Sequence, residues 1–175
     1  MSARTITVVP YDPRWPALFA QERAALVHAL ADVALDIFHI GSTAVPGLAA
    51  KPIIDILVAA PSLAAVDDRQ TELAALGYLA KGENGIAGRR YFQKGGAQRS
   101  HHLHVYQHGD PQLHRHLVFR DYLRAHPALA SEYAGLKQML ARSCNNDSRC
   151  YQNGKAGFLQ AHQARALAEY PEGSA

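Results

Sequence analysis

The chain has 175 residues, 48% of them hydrophobic and 19% charged, which is enough for one domain with its own core and too apolar for global disorder. Its formal net charge of +3 suits an anionic ligand, but the cations are too evenly spread for a nucleic-acid groove. No stretch approaches the roughly 18 unbroken apolar residues of a membrane span, and the opening "MSARTITVVPYDPRW" lacks a basic-then-apolar signal pattern, so the expectation is a soluble cytoplasmic protein with no membrane or nucleic-acid partner.

In "YDPRWPALFAQERAALVHALAD", Asp12 and Pro13 predict a capped helix start, and Trp15, Leu18, Phe19, Leu26 and Leu30 share one helical face. "VALDIFHI" reads as a strand. In "STAVPGLAAK" Pro46 and Gly47 leave room for one helical turn at most. "PIIDILVAA" is apolar on both faces and predicts a central strand. Ser62 caps a helix carrying Leu63, Val66, Leu73 and Leu76, which stops at Gly77. A short strand follows at "YLA", then "RRYFQKGG" and "HHLHVYQ" form a hairpin. Asp110 and Pro111 open a helix to about Ala125, and Pro127 interrupts it. Leu129, Tyr133, Leu136 and Leu140 mark the next helix, and Tyr151, Lys155, Phe158 and His162 stripe the last. The expected architecture is a single α/β (α+β) domain over 1–175: an α/β part to about residue 108, with a mixed sheet and flanking helices, then a helical C-terminal part over about 110–170. Cys144 and Cys150 in "CNNDSRC" read as free thiols of a reducing cytosol, against a local disulfide or half a metal site.

Chemistry concentrates in "HIGSTAVPGLAAKPIIDILV". The Gly41-Ser42 turn offers backbone N–H groups and a hydroxyl to phosphate oxygens. Asp55 faces the opposite way from Ile54 and Ile56, and a carboxylate inside a buried strand must meet a cation, a metal or several donors. Lys51 or an arginine is the simplest such partner. In "SHHLHVY", His102, His104 and Tyr106 share one face, and His101, Leu103 and Val105 the other. Asp55 with His102 and His104 would form a divalent-metal site (magnesium, manganese or zinc), and imidazole ligands favour zinc, manganese or iron over magnesium. The alternative is a run of partly exposed histidines holding no metal. Arg90 and Lys94 alternate onto one face with Phe92, Arg89 lies opposite, Arg99 enters the histidine strand, and Lys155 interrupts an apolar stripe. Each is a candidate phosphate ligand or a solvated surface charge.

The spacing from Gly41-Ser42 to Asp55 resembles the nucleotidyltransferase superfamily typified by DNA polymerase β. The longer strings "HIGSTAVPGLAAKPIIDILV", "RRYFQKGG", "RSHHLHVY" and "YQNGKAGFL", with "YDPRWPALF" near the start, resemble the GrpB family over about residues 7 to 160. That resemblance implies a nucleotidyltransferase-like fold, a nucleotide or other phosphate-containing ligand on Gly41, Ser42, Lys51, Arg90, Lys94, Arg99 and Lys155, and transfer of a nucleotidyl group with Asp55 and His104 as catalytic groups. Some relatives are fused to dephospho-CoA kinase, which implies nucleotide or coenzyme A chemistry. The chain departs from the polymerase-type pattern at Leu57, where a second carboxylate is expected, so a two-metal clamp lacks a ligand and a non-catalytic binding module or a metal-dependent phosphohydrolase are the alternatives. "HHLHVY" also resembles the histidine-triad hydrolase signature, with Tyr106 in place of the third histidine.

Overall fold

A computed structural model describes residues 5–172. Five strands, β1 (Asp36–Ile40), β2 (Ile54–Ala60), β3 (Tyr78–Ala80), β4 (Arg89–Lys94) and β5 (His101–Gln107), form one sheet in the order β1-β2-β5-β4-β3. β2 and β5 pair in parallel, and the other neighbours are antiparallel. The mixed sheet is the one expected, with β2 and its single carboxylate inside it. Helices α1 (Trp15–Leu30), α2 (Leu63–Asp67) and α3 (Gln70–Ala75) belong to this part, and α4 (Pro111–Ala125), α5 (Pro127–Ser143) and α6 (Ser148–Glu169) follow it. Among the described residues no helix is long and apolar enough to cross a membrane.

Strand alternation divides the molecule. Ile54, Ile56, Val58, Phe92, Leu103 and Val105 face α1, α2 and α3 and pack with Leu26, Leu30, Val66 and Leu73 in the largest core cluster. The other face carries Leu57, Ala59 and Tyr106, packed with Ile40 and with Leu113 of α4. The C-terminal helices reach the sheet through the segment after β1, where Val45 and Leu48 pack with Leu123, Ala130 and Tyr133.

Three local expectations are corrected. Helix α1 begins at Trp15, with Pro16 rather than Pro13 in its first turn, because Asp12 gives its carboxylate to the backbone N–H and guanidinium of Arg14. The helix expected from Leu63 to Leu76 divides into α2 and α3 around Asp68 and Arg69, while Ser62 does cap it by accepting from Ala65 N–H. Cys144 and Cys150 are joined in a disulfide rather than free. Asn145 and Asn146, both at positive φ, turn the chain sharply between α5 and α6 and bring the two Cα atoms to 5.6 Å.

The helix-facing side also settles two of the basic residues. Arg90 makes a two-pronged ion pair with Asp67, at 2.7 and 3.0 Å. Lys94 Nζ donates to both oxygens of Glu22 at 2.9 Å, and Tyr78 Oη donates to the same carboxylate at 2.8 Å. Glu22 is 8% exposed, so these donors offset its desolvation and tie α1 to β3 and β4. Removing it strands an ammonium and a phenol. Glu22→Ala is expected to lower unfolding free energy by about 3 kcal/mol in urea titrations, and a loss below about 0.5 kcal/mol would mean the network is solvated rather than structural.

Candidate functional site

The site begins where β1 ends. Gly41 has φ +73°, and a Cβ built there would lie 2.7 Å from Asp55 Oδ2. Glycine is therefore required twice, for the backbone conformation and for the close approach of the carboxylate. Asp55 is the register partner of Ile40 in β1 and of His102 in β5, and Leu57 is the partner of His104. Alternation then points Asp55, His102 and His104 to the face away from α1.

His102 Nδ1 and His104 Nε2 each lie 3.3 Å from the same oxygen, Asp55 Oδ1. Their other nitrogens face guanidinium groups, His102 Nε2 at 3.4 Å from Arg99 Nη1 and His104 Nδ1 at 3.4 Å from Arg89 Nη1. A guanidinium only donates, so a neutral imidazole here accepts from arginine and donates to Asp55. Burial alone would raise the carboxyl, but the hydrogen bonds of His102 and His104 hold Asp55 well below the ordinary carboxylate range.

Around this group lies a cavity of about 580 Å³, lined by Gly41, Ser42, Asp55, His102 and His104, with Lys51, Lys137, Lys155, Arg89 and Arg120 supplying its positive charge. The helices present two lysines in the same way. Tyr133 and Lys137 on α5, and Tyr151 and Lys155 on α6, stand four residues apart, with each ammonium over its tyrosine ring at 4.5 and 4.6 Å. Lys51 approaches the Tyr151 ring at 5.0 Å. Lys137 is 3% exposed and donates to Ser42 Oγ at 2.8 Å. Burial, then repulsion from Lys155 and Lys51, lowers Lys137 to about 7, with Asp55 opposing. Lys155 is lowered to about 8 by burial and Lys51. His116 also lines the cavity, and burial followed by the charge of His104 lowers it to about 3.

The structure thus gathers Gly41, Ser42, Lys51, Asp55, His102, His104 and Lys155 from the expected set. It does not bring in Arg90 and Lys94, which sit on the helix-facing side of β4 bound to Asp67 and Glu22. Arg99 stays beside His102 and lines a neighbouring depression. Arg89, weighed with the other basic residues, does line the cavity, and Lys137, Tyr133, Tyr151 and His116 are additions. The Tyr-to-Lys spacing of four was readable on α5 as well as on α6, and Arg89 follows from strand parity once the face of Phe92 is known.

The expected metal donors touch one another directly. Both imidazole nitrogens are trained on one carboxylate oxygen, and their ring centroids are 6.5 Å apart. Among the described residues no three His, Cys, Asp or Glu side chains are arranged to hold an ion.

Comparison with known proteins follows this geometry. The GrpB protein family profile matches residues 5–165. The UPF0157 protein YqkA of Bacillus subtilis (strain 168) is 45% identical over 163 residues, 93% of this chain and 48% of that protein, so the chain spans about half the length of that relative. A protein named dephospho-CoA kinase from Mycolicibacterium paratuberculosis is 30% identical over 92% of this chain and 46% of its own length. The crystal structure of the conserved protein GrpB from Enterococcus faecalis superposes with a TM-score of 0.91 at 43% identity, covering 95% of this chain and 100% of that one. A weaker likeness, TM-score 0.49 at 20% identity over 75% of this chain and 45% of the other, is to the Cid1 poly(U) polymerase.

The buried Lys137 and half-buried Lys155 carry a pH signature. Lys137 has a folded value of about 7 against 10.5 for the free side chain. Between those limits the unfolded chain holds the extra proton, so stability rises with pH. Lys155 acts with the same sign. Unfolding free energy should climb from about pH 7 to about pH 9.5, below the range where unfolded tyrosines ionise, by on the order of 1 kcal/mol per pH unit for each lysine. Lys137→Met should flatten the climb and be more stable than wild type near pH 7. Equal slopes in urea titrations of the two proteins would contradict the burial of that ammonium.

Proposed function

We propose that this chain, which belongs to the GrpB family, binds a phosphate-bearing small molecule of the nucleotide or coenzyme A class in the cavity beside Asp55. The observation that carries this reading is the charge count there: three lysines and two arginines, Arg89 and Arg120, line the cavity with a single carboxylate. Burial and mutual repulsion disfavour the charged form of Lys137 and Lys155, and a polyanion placed among them reverses that penalty. Ser42 adds a hydroxyl to the same wall. Phe119, Leu123 and Leu159 line the cavity as well, so an apolar or aromatic portion of the ligand has a surface to cover. The relative named dephospho-CoA kinase supports the same ligand class.

Binding is better supported than nucleotidyl transfer. Leu57, at the second carboxylate position, is completely buried with Ile40, Ala59 and Tyr106. In-line transfer between two metals needs oxygen ligands there that this strand does not offer. In this reading Asp55 orients His102 and His104 and offsets part of the lysine charge.

The test is thermal denaturation with inorganic triphosphate, ADP, ATP and coenzyme A, each with and without magnesium, manganese or zinc. A bound ligand at about 100 times its dissociation constant adds about 2.7 kcal/mol. We expect a shift with at least one of these compounds in the absence of metal, weakened at least about tenfold in affinity by Lys155→Ala and unchanged by the exposed-surface control Lys81→Ala. No shift with any compound overturns the reading. A shift that requires metal, together with metal found in the purified protein, favours the metal-dependent alternative on Asp55, His102 and His104.

A further inference from the structure

Phosphate binding by itself leaves one pair of groups without a chemical role. Ser42 heads the turn after Gly41, is partly exposed to the cavity, and receives the hydrogen bond of Lys137 Nζ at 2.8 Å. Tyr133 lines the cavity beside the pair, with the Lys137 ammonium 4.5 Å from its ring. Lys137 is almost wholly buried, and among the described residues no carboxylate lies within ion-pair distance of its ammonium. A serine hydroxyl open to a cavity and bonded to a buried lysine without a counter-ion is the arrangement in which an amine serves as general base to an oxygen nucleophile.

We propose that Ser42 and Lys137 form a nucleophile–base pair that takes a phosphoryl group from a phosphoester or phosphoanhydride onto Ser42 Oγ. The substrate class rests on the phosphate-binding reading above. With Lys137 as the free amine, the Oγ–H proton passes to Nζ while an Oγ electron pair attacks phosphorus. The Oγ–P bond forms, the P–O bond to the leaving group breaks, and the leaving oxygen takes that bond's electrons and then the proton held on Lys137. Water then attacks phosphorus and gives a proton to Lys137, the P–Oγ bond breaks, and Oγ keeps that bond's electrons and takes the proton back from Lys137, so that phosphate departs with Ser42 restored. Lys51 and Lys155 line the space beside the pair and offset charge on the phosphoryl oxygens.

The groups that set the proton affinity of Lys137 come from every element around it. They are Tyr133 on its own helix, Ser42 from the turn, Lys155 and Tyr151 from α6, Lys51 from the segment before β2, and Asp55 from β2. Two further cations against one carboxylate favour loss of the proton, in the direction a base requires.

A fluorophosphonate probe tests the pair without any assumption about the natural ligand, since Ser42 attack releases fluoride and leaves a phosphonylated serine that peptide mass spectrometry locates. Wild type is expected to be labelled at Ser42, with a rate that rises through about pH 7 and then levels. Ser42→Ala should abolish the label. Lys137→Met, of similar length but without a base, should slow it at least about tenfold, and so should Lys137→Arg, whose guanidinium keeps its proton. Absence of label in wild type, label on another residue, or undiminished labelling in Lys137→Met overturns the proposal. If Lys137→Met fails to fold, the wild-type pH profile decides, and a rate flat across about pH 6 to 9 overturns it. Thermal shifts of wild type with inorganic triphosphate, ADP, ATP and coenzyme A keep the two readings apart: a shift without labelling of wild type sinks only the nucleophile, and no shift with any of them sinks the binding reading.

Discussion

One carboxylate organises this molecule. Asp55 lies inside the sheet, close under the Gly41 turn and gripped through one oxygen by two imidazoles. Among the described residues that line the cavity it is the acidic side chain, set against Lys51, Lys137, Lys155, Arg89 and Arg120. Without the histidines and the turn, the carboxylate would be an uncompensated charge in a buried strand. The glycine, the strand register and the histidine alternation are all consequences of accommodating that single negative group. What remains after Asp55 has been satisfied is an excess of positive charge directed into a half-enclosed space, which is the physical description of an anion site.

Much of this was legible in the sequence because strands have a period of two. "PIIDILV" and "HHLHVY" each fix which residues share a face, and parallel pairing of β2 with β5 then sets Asp55 beside His102. The cap at Asp110 and the break at Pro127 were equally plain, since both act locally. The failures have specific causes. In β4, Tyr91 and Phe92 are both buried, so parity separates Arg89 from Arg90 but does not say which of them faces the site. Tertiary packing decides it, through Asp67 and Glu22 on the helix side. Lys137 resembles any solvent-facing lysine on an amphipathic helix until neighbouring elements bury it against Ser42. Cys144 and Cys150 could not be paired from spacing, because the turn that joins them depends on two asparagines adopting positive φ.

The site also shows where local rules give way. An ammonium withdrawn from water over a tyrosine ring is a poor choice for stability, and the chain makes it on α5, where Lys137 is buried, and again on α6, where Lys155 is half-buried, from the same four-residue spacing. Such violations concentrate where binding or chemistry requires them. The charge pair of Glu22 and Lys94, by contrast, is matched within the fold and faces the helices, so similar residue types serve structure on one side of the sheet and recognition on the other.

The most direct measurement of the account is a crystal structure of the chain grown with ADP. The account predicts the two phosphates in the cavity, with their oxygens within hydrogen-bond distance of Ser42 Oγ and of the ammonium groups of Lys137 and Lys155, and Asp55 still held by His102 and His104. Phosphates bound instead at Arg90 and Lys94, or on the outer surface with the cavity filled only by water, would contradict it.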